Sequence, residues 1–368
     1  MKKDFYDVND AGKTFFWAVV TPQILGTLIY VIFLWIASYS GTTVEELLNQ
    51  TIPTYIMLMM SQIAFAIVFF TYNRKIDFMK ACKINKLSTR NIFICIAIAI
   101  IVVMGISPIS NILVELMKQA GLQVSTTLPI GLNTIWDLLL AILLVALVPA
   151  IFEELIFRGA VLQGLRKFGT WIAVLGSALL FALMHASAVQ FVYTFLFGII
   201  LALVVIKSGS IISSMICHFT GNALSLIFSY VHFEDETIGA SDSFYCFLAF
   251  LMVILVSMIL FSLLKQMKNN DRALINKYAV NIKELNEIKD LANSDIVENT
   301  NSQNGEQEEN TIALQETQVD KNLEKELLSK INDVNNSEFK PNNNTSYLTY
   351  GFIISLVIWG LSFAMLFV

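Results

Sequence analysis

Apolar residues along this chain fall into long blocks separated by short polar connections. A helix needs on the order of 20 such residues to cross about 30 Å of hydrocarbon. Nine blocks meet or approach that length, near 14–39, 54–72, 91–106, 135–163, 170–187, 189–206, 210–231, 244–266 and 347–368. The third is short by itself and is expected to continue past Pro108 into the stretch NILVELMKQA. The pattern predicts an all-α fold: a polytopic transmembrane helix bundle of about eight core spans plus one C-terminal span.

Composition strengthens this picture, since 56% of the 368 residues are hydrophobic and 14% charged, against roughly 45–50% apolar residues in a soluble domain. The first block is too long for the apolar region of a signal peptide, and no small-residue cleavage site follows it, so it is expected to remain as a span. Cys82, Cys95, Cys217 and Cys246 are scattered without a CxxC pair, which suggests neither a disulfide framework nor a thiolate metal site.

The placement of lysine and arginine orients the bundle. Lys2, Lys3 and Lys13, then Arg74, Lys75, Lys80, Lys83, Lys86 and Arg90, and further on Arg166, Lys167, Lys207, Lys265 and Lys268, fall on one side by alternation. That side is predicted to be cytoplasmic, in a multi-pass protein of the cell membrane. With nine spans the N-terminus lies inside and the C-terminus outside.

Residues 269–346 depart from the rest of the chain: they are rich in Asn, Glu, Gln and Ser and nearly free of aromatics. Such a composition cannot bury enough apolar surface to offset the entropy of ordering. The domain reading is therefore a transmembrane core over 1–268, a polar acidic cytoplasmic linker over 269–346 that is largely disordered, and a span over 347–368. The linker has stretches of helical periodicity that suit partner binding. No nucleic-acid partner is expected, and no internal repeat stands out.

Against this background FEELIFRG, residues 152–159, is out of place. One charge at the centre of a span costs roughly 2.5–3.5 kcal/mol, so Glu153, Glu154 and Arg158 must be paired, neutralised or wetted. Glu154 and Arg158 are four apart and share a helix face, which suits an ion pair. Glu153 lies about 100° further round and is left to face a cavity. An ion-pair staple holding the bundle is the structural alternative.

Two histidines also interrupt apolar spans: His185 in FALMHAS, four residues from Phe181, and His218 in CHFTGN, four residues from Asn222. If the fourth and fifth spans form a hairpin turning at Gly169, Glu153 and His185 are each 16 residues from the turn and can face one another. His218 lies about 12 Å along the seventh span, which suggests a cavity opening to the cytoplasmic side. Gly221 beside Asn222 permits close backbone approach or simple helix packing.

A carboxylate with an imidazole suits general-base activation of water. A second histidine with an asparagine offers donors for the oxyanion of a tetrahedral intermediate, so the chemistry points to peptide-bond hydrolysis. The same side chains also match a hydrolytic zinc set of Glu153, His185 and His218, although HExxH is missing from the sequence. Two non-proteolytic readings compete with the enzyme. One is a membrane scaffold or regulator held by the polar cluster, and the other a proton-coupled transporter using Glu153 and His185 as a relay.

EELIFR, FALMH and HFTGN fit EExxxR, FxxxH and HxxxN in order on separate helices. In this the chain resembles the CPBP family, the CAAX protease and bacteriocin-processing group also called Abi, over roughly residues 130–232. The resemblance implies an all-helical intramembrane endopeptidase similar to the type II CAAX prenyl endopeptidases. Glu153 and His185 would activate water, His218 and Asn222 would stabilise the oxyanion, and Glu154, Arg158 and Phe181 would support the site. Members are described both as metalloproteases and as metal-independent glutamate proteases. The oxyanion donors favour the glutamate type, with no cofactor required and a divalent metal such as zinc as the alternative. The expected partners are the lipid bilayer and a membrane-associated protein or peptide, cut near the cytoplasmic face. Peptide or bacteriocin processing, immunity and envelope regulation are the associated roles, and a prenylated substrate does not follow.

Overall fold

The structure is a computed structural model and describes residues 2–48, 51–122, 124, 131–231 and 243–268. The linker 269–346, the last span 347–368, the acidic loop after Val231 and Cys246's side chain lie outside the described residues. The rest is a polytopic bundle of eight main helices: α1 (Val8–Ser40), α2 (Thr51–Tyr72), α3 (Thr89–Gln119), α4 (Ile135–Phe168), α5 (Thr170–Met184), α6 (Ala188–Ser208), α7 (Ile211–Tyr230) and α8 (Ser243–Gln266). Six are long and apolar enough to cross a membrane, while α5 and the described part of α8 are shorter apolar helices. The chain is a multi-pass membrane protein, and among the described residues there is no strand.

Helix ends carry the local signals that set them. Asp7 caps α1 by accepting from the Asp10 N–H at 2.8 Å, and Thr134 with Asp137 forms the same reciprocal box at the start of α4. The turns that bring α5 and α7 into line with their neighbours depend on two glycines. Gly169 at φ 104° ends α4, and Gly209 at φ 71° closes α6; both conformations suit a residue without Cβ. The third block does run through Pro108 as one helix to Gln119.

α4 is not a uniform helix. Two wide π turns, Ile142–Leu147 and Leu155–Val161, flank the α-helical segment Val148–Glu154 that ends in the two glutamates. π turns inside α-helices are frequent at functional sites because the extra residue re-aims the side chains that follow. Pro149 adds to the disturbance, having no N–H to donate to the carbonyl of Val145 four residues earlier.

The two ends of the bundle are built differently. At the lysine-rich end the N-terminal strap lies along the turn after α2: the Lys3 N–H donates to the Lys75 carbonyl at 2.9 Å, the Lys3 carbonyl accepts from the Asp77 N–H at 2.7 Å, and Lys80 pairs with Asp4 at 3.1 Å. Gly164 of α4 is so close to α1 that an added Cβ would lie 2.5 Å from Ala11 Cβ and 2.8 Å from the Asp7 carbonyl oxygen. Gly159 is similarly tight against the Cys82 sulfur and Ile211. Behind these contacts Phe15, Phe157 and Phe181 stack edge to face with centroids 6.1 and 5.2 Å apart. The opposite end of the bundle is hollow.

Candidate active site

The site is assembled on α4, α5 and α7, with contributions from α2 and α6. Glu154 ends the α-helical segment of α4 with its carboxylate fully buried. Its Oε1 accepts from the Arg158 guanidinium at 2.8 Å and from His218 Nδ1 at 2.9 Å. Arg158 is also fully buried, donates a second bond to the Gly198 carbonyl at 3.2 Å, and lies 4.3 Å over the Phe181 ring. One carboxylate oxygen thus ties α4 to α7, and one guanidinium ties α4 to α6 and α5. Truncating either partner of such a buried pair costs about 3–5 kcal/mol, because the other charge is left uncompensated.

Glu153 points elsewhere. Its Oε2 lies 3.9 Å from His218 Nε2, and its Oε1 accepts from Gln62 Nε2 at 3.4 Å. His218 therefore bridges the two glutamates, holding Glu154 with one ring nitrogen and facing Glu153 with the other. Because a carboxylate can only accept, Nδ1 of His218 carries the proton in that bond.

His185 stands at the C-terminal cap of α5, one residue before Ala186, which adopts the left-handed φ of 47°. Its Nδ1 donates to the Phe181 carbonyl at 2.8 Å, so in the neutral ring Nε2 keeps its lone pair. Phe181 is the common neighbour of the site, edge to face with His185 at 4.8 Å and with His218 at 5.8 Å. Asn222 Nδ2 donates to the Val145 carbonyl at 3.2 Å. That is the carbonyl Pro149 cannot serve, so α7 holds α4 at its proline. Gly221 packs against Phe197, whose ring would meet an added Cβ at 2.9 Å.

Glu153, His185, His218 and Asn222 all line one cavity of about 620 Å³, shared with Gln62, Gln190 and Thr194. On α4, α5, α6 and α7 the lining runs from Glu153 and His218 near the middle of their helices into the half remote from the lysine-rich turns, reaching Gln190 at the start of α6 and Ser229 at the end of α7. Sequence spacing suggests a cavity opening on the lysine-rich side; in the structure the lining runs from the motif residues toward the other end of the bundle. Depth counted along a helix fixes how far a residue lies from a turn, but not which end packing closes. Here the glycines packed against α1 and Cys82 fill the lysine-rich end, and the Phe15–Phe157–Phe181 stack runs from there to the cavity wall.

A divalent metal on Glu153, His185 and His218 is the alternative the sequence leaves open. Among the described residues no three His, Cys, Asp or Glu side chains are grouped to hold a metal ion, while both imidazoles bond the protein through Nδ1 and keep Nε2 toward the cavity.

Gln62 was not legible as a site residue. Its one signal is that it is the lone amide in the apolar run MLMMSQIAFAIV.

A helix bundle that buries two carboxylates, a guanidinium and one imidazole, with a second imidazole half-buried, beside a cavity is a membrane protein with a polar site inside it. Residues 135–224, which include every motif residue from Glu153 to Asn222, match the family model described as Type II CAAX prenyl endopeptidase Rce1-like. The match agrees with the CPBP resemblance of the three motifs and makes this segment similar to the CAAX-type intramembrane proteases. No curated protein and no solved structure shows significant similarity to the chain.

Proposed function

We propose that this protein is an intramembrane endopeptidase of the glutamate type, acting on a membrane-associated protein or peptide. The observation that carries the reading is the 3.9 Å approach of Glu153 Oε2 and His218 Nε2 on the cavity wall. That separation is too long for a direct hydrogen bond and suits one water shared between the two atoms.

Glu153 takes a proton from this water as the oxygen attacks the carbonyl carbon of the peptide. When the tetrahedral intermediate collapses, the C–N bond breaks and the same proton goes to the departing nitrogen. The products are a carboxylic acid and an amine, and Glu153 is restored. His185 acts from the adjacent wall, where Nε2 accepts a hydrogen bond from the water and holds it for attack.

His218 has given its Nδ1–H to Glu154, so it donates from Nε2 to the oxyanion only as an imidazolium. In that form two carboxylates, one guanidinium and one imidazolium carry no net charge. Asn222 spends one amide hydrogen on Val145 and has the other for the oxyanion. The substrate reaches these groups from the end of the bundle remote from the lysine-rich turns. Processing of a peptide or bacteriocin, or envelope regulation, is consistent with this chemistry.

The test is cleavage of a pool of quenched fluorogenic peptides by purified protein in liposomes. Glu153→Gln and His185→Ala are each expected to lower turnover by about 10²–10⁴-fold, the range for loss of a general base, while the protein stays folded. Full activity in either variant rejects the assignment. Activity that survives a strong chelator supports the glutamate type, and activity lost to the chelator and restored by zinc rejects it.

A further inference from the structure

Gln62 sits in the middle of α2, outside residues 135–224 and outside the three motifs. It is 8% exposed, yet only one end of its amide is used within the protein. Nε2 donates to Glu153 Oε1, while Oε1 is buried without a hydrogen-bond partner. The adjacent Ser61 does not serve it, because that hydroxyl donates to the Leu58 carbonyl at 2.7 Å. A glutamine kept only to hold helices together would bond at both ends, since an unpaired buried acceptor costs about 1–3 kcal/mol. An unpaired acceptor on a cavity wall, fixed to the candidate base, is placed for a ligand donor.

The direction of its bond to Glu153 selects that donor. Gln62 occupies Oε1, which leaves Oε2 for the water facing His218. The free amide oxygen is thus left for a donor other than that water. A peptide drawn into a dry cavity brings one backbone N–H per residue, and each must find an acceptor.

We propose that Gln62 is a substrate-binding residue: Nε2 fixes the rotamer of the Glu153 carboxylate, and Oε1 accepts a backbone N–H of the peptide next to the bond that is cut. The proposal rests on the endopeptidase reading and adds to it a group that recognises the substrate's main chain rather than its side chains.

The test uses one fluorogenic peptide chosen from the pool that wild type cleaves, with analogues N-methylated at each backbone nitrogen in turn. Methylation at one nitrogen near the cut is expected to raise KM for wild type about tenfold, the value of one net hydrogen bond. Gln62→Leu is expected to raise KM for the parent peptide by a similar factor and to show no further penalty for that analogue. Gln62→Glu keeps the acceptor and is expected to retain the wild-type preference between parent and analogue. A purely structural glutamine would instead lower the melting temperature and affect all the peptides alike. Equal methylation penalties in wild type and Gln62→Leu, or unchanged KM in Gln62→Leu, overturn the proposal while leaving the endopeptidase standing. A wild type that cleaves no peptide in the pool overturns both.

Discussion

The two ends of the bundle solve opposite problems with the same kinds of residue. At the lysine-rich end, glycines are spent on closeness: Gly164 against Ala11 and the Asp7 backbone, and Gly159 against Cys82. Polar groups there are paired near the surface, as in Lys3 with Asp7 and Asp10 at 3.0 Å. At the other end, polar groups are brought inside and left partly unused around a cavity, as with Gln62 Oε1 and one edge of each imidazole. The difference teaches that close packing at one end holds α4 in register, while the other end holds the groups to which the proposed chemistry is assigned. The Glu154–Arg158–His218 cluster sits at the boundary between them and serves both.

The strongest way to break this comparison is at that boundary. Glu154→Ala is expected to cost about 3–5 kcal/mol of stability, because it leaves Arg158 buried without its counter-charge. Thermal unfolding in detergent measures this, and Glu154→Met combined with Arg158→Met should be less destabilised than either single change. A single variant that melts like wild type would remove the cluster from its structural role.

Next is a plug at the hollow end. Ser229→Trp, at the rim of the cavity, should reduce peptide turnover by about 10²-fold, or roughly 2.7 kcal/mol of barrier, with the melting temperature unchanged. Undiminished turnover would mean that substrate reaches the site from the lysine-rich end. A change at the closed end should do the reverse. Gly164→Ala forces a methyl against backbone and is expected to cost about 1–3 kcal/mol, read as a lower melting temperature with KM preserved.

The smallest effect concerns the cap of α1. Burial pushes the Asp7 carboxyl up, but the Asp10 N–H and the Lys3 ammonium outweigh it and hold the group below the usual carboxylate range. The folded value is depressed, so the stabilisation is complete above the unfolded value near ~3.9 and is lost as pH falls through the folded one. Asp7→Ala should cost about 1 kcal/mol at neutral pH, and the difference from wild type should vanish in strong acid. A difference that persists there would assign the effect to packing.

Much of the fold is legible because a membrane span is written in consecutive residues. The eight described helices follow the first eight apolar blocks, and α3 passes through Pro108 because neighbouring helices support it. Part of the site is legible for a similar reason: Glu154 with Arg158, and Phe181 with His185, are four apart on one helix, so helical geometry alone places each pair on one face. Asn222 shows where that logic stops. Spacing puts it on the face of His218, but only the fold shows that half its amide is spent on the Val145 carbonyl beside Pro149. Gln62 stops it sooner, since its partner is 91 residues away.

By itself, then, the sequence determined a polytopic membrane bundle, the three motifs, and the pairs that one helix can hold. Tertiary structure alone decided that His218 bridges both glutamates, that α2 lends an amide to the site, and that the cavity lies away from the lysine-rich turns. The physical reason is that contacts within a helix are fixed by its 3.6-residue period. Contacts between helices depend on how each one is rotated and shifted against its neighbours. In this protein two π turns, a proline and a few close-packed glycines set those rotations.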